Sequence, residues 1–167
     1  RIDMLIRAFA KMPDKKLLIT GTGQDEKRLK KIAEGMSNIH FLGNISDEKL
    51  RILYSTCRAT IAANIDEDLG LIAIESHASG KPIVAVKEGG FIETVKEGEN
   101  GIFFSNERDI KRAIDKLENT KWNAERIRKS TECYDINVFA KNIKSILEEV
   151  HADKMDRMPS SSEYFGA

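Results

Sequence analysis

Apolar positions along this 167-residue chain repeat at two alternating spacings, one helical and one strand-like. Ile2, Leu5, Ile6 and Phe9 recur at i, i+3, i+4 and i+7, a helix stripe already in progress with no capping residue before it. From about position 17 a rhythm follows: a short apolar run, a small-residue turn, then an amphipathic stretch. "KLLIT" leads through "GTGQ" into "DEKRLKKIAEGM", with Leu29 and Ile32 facing inward. "NIHFLG" leads through "NISDEK" into "LRILYSTC", with Ser46 as helix cap. "ATIAAN" leads into "LGLIAIESHASG", "PIVAV" through "KEGG" into "FIETV", and "GIFF" into "ERDIKRAIDKL". Five such alternations predict an α/β fold, a doubly wound parallel sheet, because parallel neighbours need crossover connections.

"INVFAKNIKSILEEV" predicts a last long helix that buries Val138, Ile143, Ile146, Leu147 and Val150. A sheet of this kind opens on a strand, so a first strand is expected upstream of Arg1, in a longer chain. Residues 1–151 form the expected domain. From 152 to 167 the apolar period is lost and Ser, Pro and Gly collect, which predicts a loosely held tail.

Composition narrows the class. With 41% hydrophobic residues the chain can bury one full core, and one domain is expected. Basic and acidic residues balance at 27 each, so no global field draws it to nucleic acid. Cys57 and Cys133 stand far apart, outside any ligand-like pair, which predicts packed thiols in a reduced intracellular protein. No apolar run approaches the roughly 20 residues that span a bilayer, so the domain is expected to be soluble.

Ligands of doubly wound sheets bind beyond the carboxyl ends of the strands, so the chemistry is sought at the turns. Gly21-Thr22-Gly23 follows a strand and opens a helix, but Glu26 stands where a dinucleotide fingerprint needs its third glycine. A tight turn and a loop bordering a ligand both remain open for it.

"EDLGLIAIES" says more. The acids Asp66, Glu67 and Asp68 precede a helix expected to start near Leu69 or Gly70. Its first amides, on Gly70, Leu71 and Ile72, lack internal partners, and the helix dipole adds positive charge there, a ready anion site. Glu75 follows about one and a half turns in, on a helix wrapped in apolar side chains, where a buried carboxylate needs a partner. A ligand running from Glu67 past the helix start to Glu75 would offer hydroxyls at both ends and an anion between, as a sugar, a diphosphate and a ribose do. Pairing of Glu75 with a neighbouring lysine or amide is the competing reading.

Asp66 to Asp68 also spell D-x-D, a divalent-metal pattern, but capping and dipole complementarity explain them more simply, and no metal is expected. Gly89 and Gly90, ahead of a short helix over Phe91 to Val95, either border the ligand or serve the strand exit. His77 is expected to be packed and hydrogen-bonded. His40 lies on a strand, and His151 stands near a fraying end.

Taken together, "EDLGLIAIESHASGKPIVAVKEGGFIETVKEGENGIFF" resembles the nucleotide-sugar-binding signature of glycosyltransferase family four, retaining enzymes of GT-B fold, in which two glutamates are separated by seven residues. "LLITGTGQDEKRLKKIA", "NIHFLGNISDEKLRILYSTC" and "ATIAAN" are similar to the preceding family blocks, so the likeness runs from about residue 1 to 150. It implies the C-terminal, donor-binding half of such an enzyme, inactive by itself. It further implies that Glu67 meets the donor hexose as the catalytic-site acid, Asp68, Leu69, Gly70, Leu71 and Ile72 hold sugar and phosphate, and Glu75 binds ribose. It implies as well that Asn44, Ile45 and Asp47 border the base, with Gly21, Thr22 and Gly23 near the ligand.

"EDLG" with the later "GG" and "ETV" is more like the mannosyltransferases of surface-polysaccharide assembly, which implies GDP-mannose as substrate and neither cofactor nor metal. The family's phosphate-binding arginine and lysine would precede Arg1. An acceptor domain of the same chain, a glycan or lipid-linked acceptor and a cytoplasmic place, peripheral to the membrane through the absent half, are implied too. A nucleotide-sugar epimerase of the same architecture and a non-catalytic receiver-like module are the alternatives.

Overall fold

The computed structural model describes residues 1–156, with side chains through His151. Two compact units result, Arg1–Thr131 and one that begins at Glu132.

In the first unit, α1 (Ile2–Phe9) precedes β1 (Leu17–Thr20), α2 (Glu26–Ile32), β2 (Ile39–Gly43), α3 (Asp47–Thr56) and β3 (Thr60–Ala62). Then come α4 (Leu71–Ala78), β4 (Ile83–Val86), α5 (Phe91–Thr94), β5 (Gly101–Phe104), α6 (Glu107–Asn119) and α7 (Ala124–Lys129). The helix α7 has too short a stripe to stand out in the sequence. It starts because the Asn123 side chain accepts the Arg126 N–H at 3.0 Å.

All strand pairs are parallel, as the alternation predicts. They nevertheless fall into two sheets, β1-β2 and β3-β4-β5. A strand set between β1 and β3 would complete the 3-2-1-4-5-6 order of a doubly wound sheet. Thr60 Oγ1 on β3 is buried and has no hydrogen-bond partner among the described residues. α3 buries none of its side chains fully.

One core nevertheless joins both sheets. β4 is buried at every position, as befits a strand with a neighbour on each side and helices over both faces. The α1 stripe is buried, Ile6 completely, and α6 turns Ile110, Ala113, Ile114 and Leu117 inward. Asn38 fastens the turn after α1 by donating from Nδ2 to the carbonyls of Phe9, Met12 and Lys15 at 2.9–3.1 Å.

The second unit contains a 3-10 turn, Glu132–Tyr134, and α8 (Ile136–Asp156). Val138, Ile143, Ile146, Leu147 and Val150, expected to be buried, are 37–63% exposed. Their spacing does make a helix, whose backbone ladder closes within the segment itself. α8 also runs past residue 151, and the remainder of the expected tail lies outside the described residues. Cys57 is half-buried and Cys133 exposed, with no disulfide between them, so only the first is packed as expected. Among the described residues no helix is long and apolar enough to cross a membrane.

His77 is 1% exposed, its Nε2 2.9 Å from the Asn100 carbonyl. Burial pushes its pKa down to about 4, against the smaller opposing pull of the Asn100 carbonyl. The unfolded chain therefore binds a proton between about pH 6.5 and 4 that the native chain does not. Stability should be flat above this window and fall by about 3 kcal/mol as pH drops through it. Urea titrations at pH 7 and 4.5 measure the loss, and His77→Gln should remove most of the pH-dependent part.

Candidate functional site

The site is built where β3 ends. Asn64, just past the strand, donates from Nδ2 to Glu67 Oε2. Glu67 Oε1 accepts the Gly70 N–H at 3.1 Å. The chain between them turns sharply, with Asp66 at φ 54° and Gly70 at φ 77°, both left-handed. Asp tolerates this region and glycine enters it freely, so the acidic loop carries the residue types that its backbone requires.

Helix α4 begins at Leu71 rather than at Leu69 or Gly70. The Gly70 amide, expected to be open, is taken by Glu67. The amides of Leu71 and Ile72 have no partner among the described residues. Leu71 is 60% exposed, so the helix start faces solvent. Two open donors, one carboxylate alongside and the positive end of the helix dipole remain.

Glu75 lies one turn beyond Leu71, and Leu71, Glu75 and Ala78 form the exposed stripe of α4, opposite buried Ala73, Ser76 and His77. The expectation of a buried carboxylate is therefore corrected: the apolar side chains around Glu75 cover the other side of the helix. Its partner is neither a lysine nor an amide but Tyr54, whose hydroxyl donates to Glu75 Oε2 at 2.6 Å. No spacing in the sequence announces that contact, because Tyr54 is 21 residues away on another helix. Asn64 left a fainter signal, a polar side chain at the exit of an apolar strand.

Glycines 89 and 90 pack against this loop. The Gly90 N–H donates to the Glu67 carbonyl at 2.6 Å, and a Cβ on Gly90 would stand 2.5 Å from Asp68 O and from Leu69 Cα. Beneath them Phe91 is fully buried, its ring edge 2.9 Å from where a Cβ on Gly70 would be.

The second group of predicted residues gathers at the ends of β1 and β2. Gly21 N–H donates to the Gly43 carbonyl at 2.8 Å, and Thr22 Oγ1 donates to Asn44 Oδ1 at 3.3 Å. The Gly21-Thr22-Gly23 loop and the Asn44-Ile45 loop thus form one surface. Ser46 caps α3 by accepting the Lys49 N–H at 3.3 Å, as expected, and Asp47 is exposed in the first turn. α3 then runs from this loop to Tyr54 and so to Glu75.

A family model described as "Glycosyl transferases group 1" matches residues 1–134, the whole stretch that holds both loops and α4. The chain belongs to this family.

Among its relatives is the alpha-monoglucosyldiacylglycerol synthase of Acholeplasma laidlawii, 26% identical over 155 residues, which covers 87% of this chain and 38% of that protein. Another is the GDP-mannose-dependent monoacylated alpha-(1-6)-phosphatidylinositol monomannoside mannosyltransferase of Corynebacterium glutamicum, 33% identical over 105 residues, covering 56% of this chain and 28% of that one. Sucrose-phosphate synthase from Thermosynechococcus elongatus superposes with a TM-score of 0.74 at 23% identity, over 91% of this chain and 42% of its own, a likeness of fold. The chain spans well under half the length of each of these proteins.

Proposed function

We propose that this chain is the donor-binding domain of a retaining glycosyltransferase that moves mannose from GDP-mannose to an acceptor hydroxyl in polysaccharide or glycolipid synthesis. The observation that carries the reading is the open start of α4, with the Leu71 and Ile72 amides unpartnered among the described residues, Glu67 beside it and Glu75 exposed one turn below. The diphosphate rests its charge on those amides and the helix dipole, which stabilises it as a leaving group without a metal. Glu67, already holding Asn64 and the Gly70 amide, keeps further lone pairs for hexose hydroxyls, and Glu75 takes the ribose. The Asn44, Ile45 and Asp47 surface borders the base, where an exposed carboxylate suits the paired N–H groups of guanine.

Mannose and a lipid-linked acceptor are supported by the Corynebacterium relative, named for GDP-mannose and a phosphatidylinositol mannoside. The acceptor domain belongs to a longer protein, which works at the cytoplasmic side of a membrane. Calorimetry of the 167-residue chain with GDP, UDP and GDP-mannose tests the reading. GDP should bind more tightly than UDP, and Glu75→Gln should weaken GDP by about tenfold, the worth of a charged hydrogen bond. Equal affinity of Glu75→Gln and parent would refute the ribose assignment. Tighter UDP would refute the guanine one, and sugar transfer by this chain alone would refute the division of labour.

A further inference from the structure

We infer that Tyr54 positions the donor nucleoside: by donating to Glu75 Oε2 it fixes that carboxylate and leaves Oε1 as the acceptor for the ribose hydroxyls. This rests on the ribose assignment of Glu75 and adds the residue that makes it effective.

An exposed glutamate on a helix samples several rotamers, and a ligand that needs one of them must offset the lost entropy. Glu75 is exposed yet tethered at 2.6 Å. The tether removes that loss before the ligand arrives, the general advantage of preorganisation. Tyr54 is suited to the task because it is half-buried and remains a donor: burial first, then the bond and charge of Glu75, hold its phenol pKa well above the usual value.

Position adds a second role. α3 buries none of its side chains fully, so few contacts fix where it stands. Its first turn carries Asp47 and follows Asn44 and Ile45, while Tyr54 lies seven residues on, about 10 Å along the axis at 1.5 Å per residue. The Tyr54–Glu75 bond therefore ties the helix that borders the base to the helix that holds the ribose. Base and ribose subsites are set at one separation.

The test compares GDP with 2′,3′-dideoxy-GDP on the parent chain, Tyr54→Phe and Glu75→Gln by calorimetry; uridine nucleotides replace them if UDP binds more tightly. Loss of both ribose hydroxyls should weaken parent binding by about tenfold or more. In Tyr54→Phe, GDP affinity should fall by roughly two- to tenfold, and the penalty for the missing hydroxyls should shrink toward that of Glu75→Gln. The ratio of the two nucleotides, read on one preparation, does not depend on the fraction folded. If Tyr54→Phe keeps the parent ratio, whether or not both affinities drop together, Tyr54 only braces α3 and the inference is overturned. If Glu75→Gln itself leaves GDP binding and the ratio unchanged, the ribose assignment fails and this inference goes with it.

Discussion

Phe91→Ala is expected to lower the free energy of unfolding by about 3–5 kcal/mol, the cost of removing a buried aromatic ring and leaving a cavity. Phe91 is 0% exposed and opens α5, with its ring against the left-handed Gly70 that precedes α4. The ring thus supports the core and the start of the helix at once. Urea denaturation measures the first effect. Nucleotide titration under conditions where the variant stays folded measures the second, and affinity should drop as the Glu67–Gly70 turn loosens. Phe91→Leu, which refills most of the space, should cost less than half as much. A parent-like urea midpoint for Phe91→Ala would deny the ring this place.

Gly90→Ala should lower both stability and nucleotide affinity. Gly90 has φ −60°, a value that alanine adopts without strain, so any cost comes from the added methyl. That methyl would lie 2.5 Å from Asp68 O and Leu69 Cα, main-chain atoms that no rotamer change can move away. The Gly90–Glu67 hydrogen bond at 2.6 Å holds the two segments together, so the acidic loop itself must shift. Overpacking of this kind costs about 1–3 kcal/mol. Because the displaced atoms are the backbone of Asp68 and Leu69, nucleotide affinity should fall with stability. Gly98→Ala is the control: its new methyl meets nothing within 4 Å, and only its φ of 78° is strained. It should lose stability and keep its affinity, whereas Gly90→Ala with parent affinity would detach the glycine pair from the site.

Both variants act on the same short stretch, and they show how legible the site was. The glutamate pair and the helix between its members were readable because capping and helical period are local: Glu67 precedes Leu71 in the chain as it does in space. The position of Glu75 on the helix was readable, and its exposure was not. Apolar neighbours at Ile72, Ala73 and Ile74 suggested burial on all sides, while the packing leaves Leu71, Glu75 and Ala78 outward. In the sequence, Gly89 and Gly90 fit a ligand role and a strand exit equally well. Their main-chain contact with residues 67–69 joins segments more than twenty positions apart, which no window of sequence contains.

By itself, the sequence determined most of the elements, their parallel alternation, the inward faces of α1 and α2, and the acidic loop ahead of α4. Each of these follows from periods of 2 or 3.6 residues and from residue types at turns, and such interactions act over a few positions. Tertiary structure alone decided that the strands divide into two sheets, that Glu67 occupies the Gly70 amide, and that Tyr54 meets Glu75. Those outcomes depend on which distant segments come into contact. Hydrophobic burial drives them without direction, and the exact partner is fixed only when the whole core has packed.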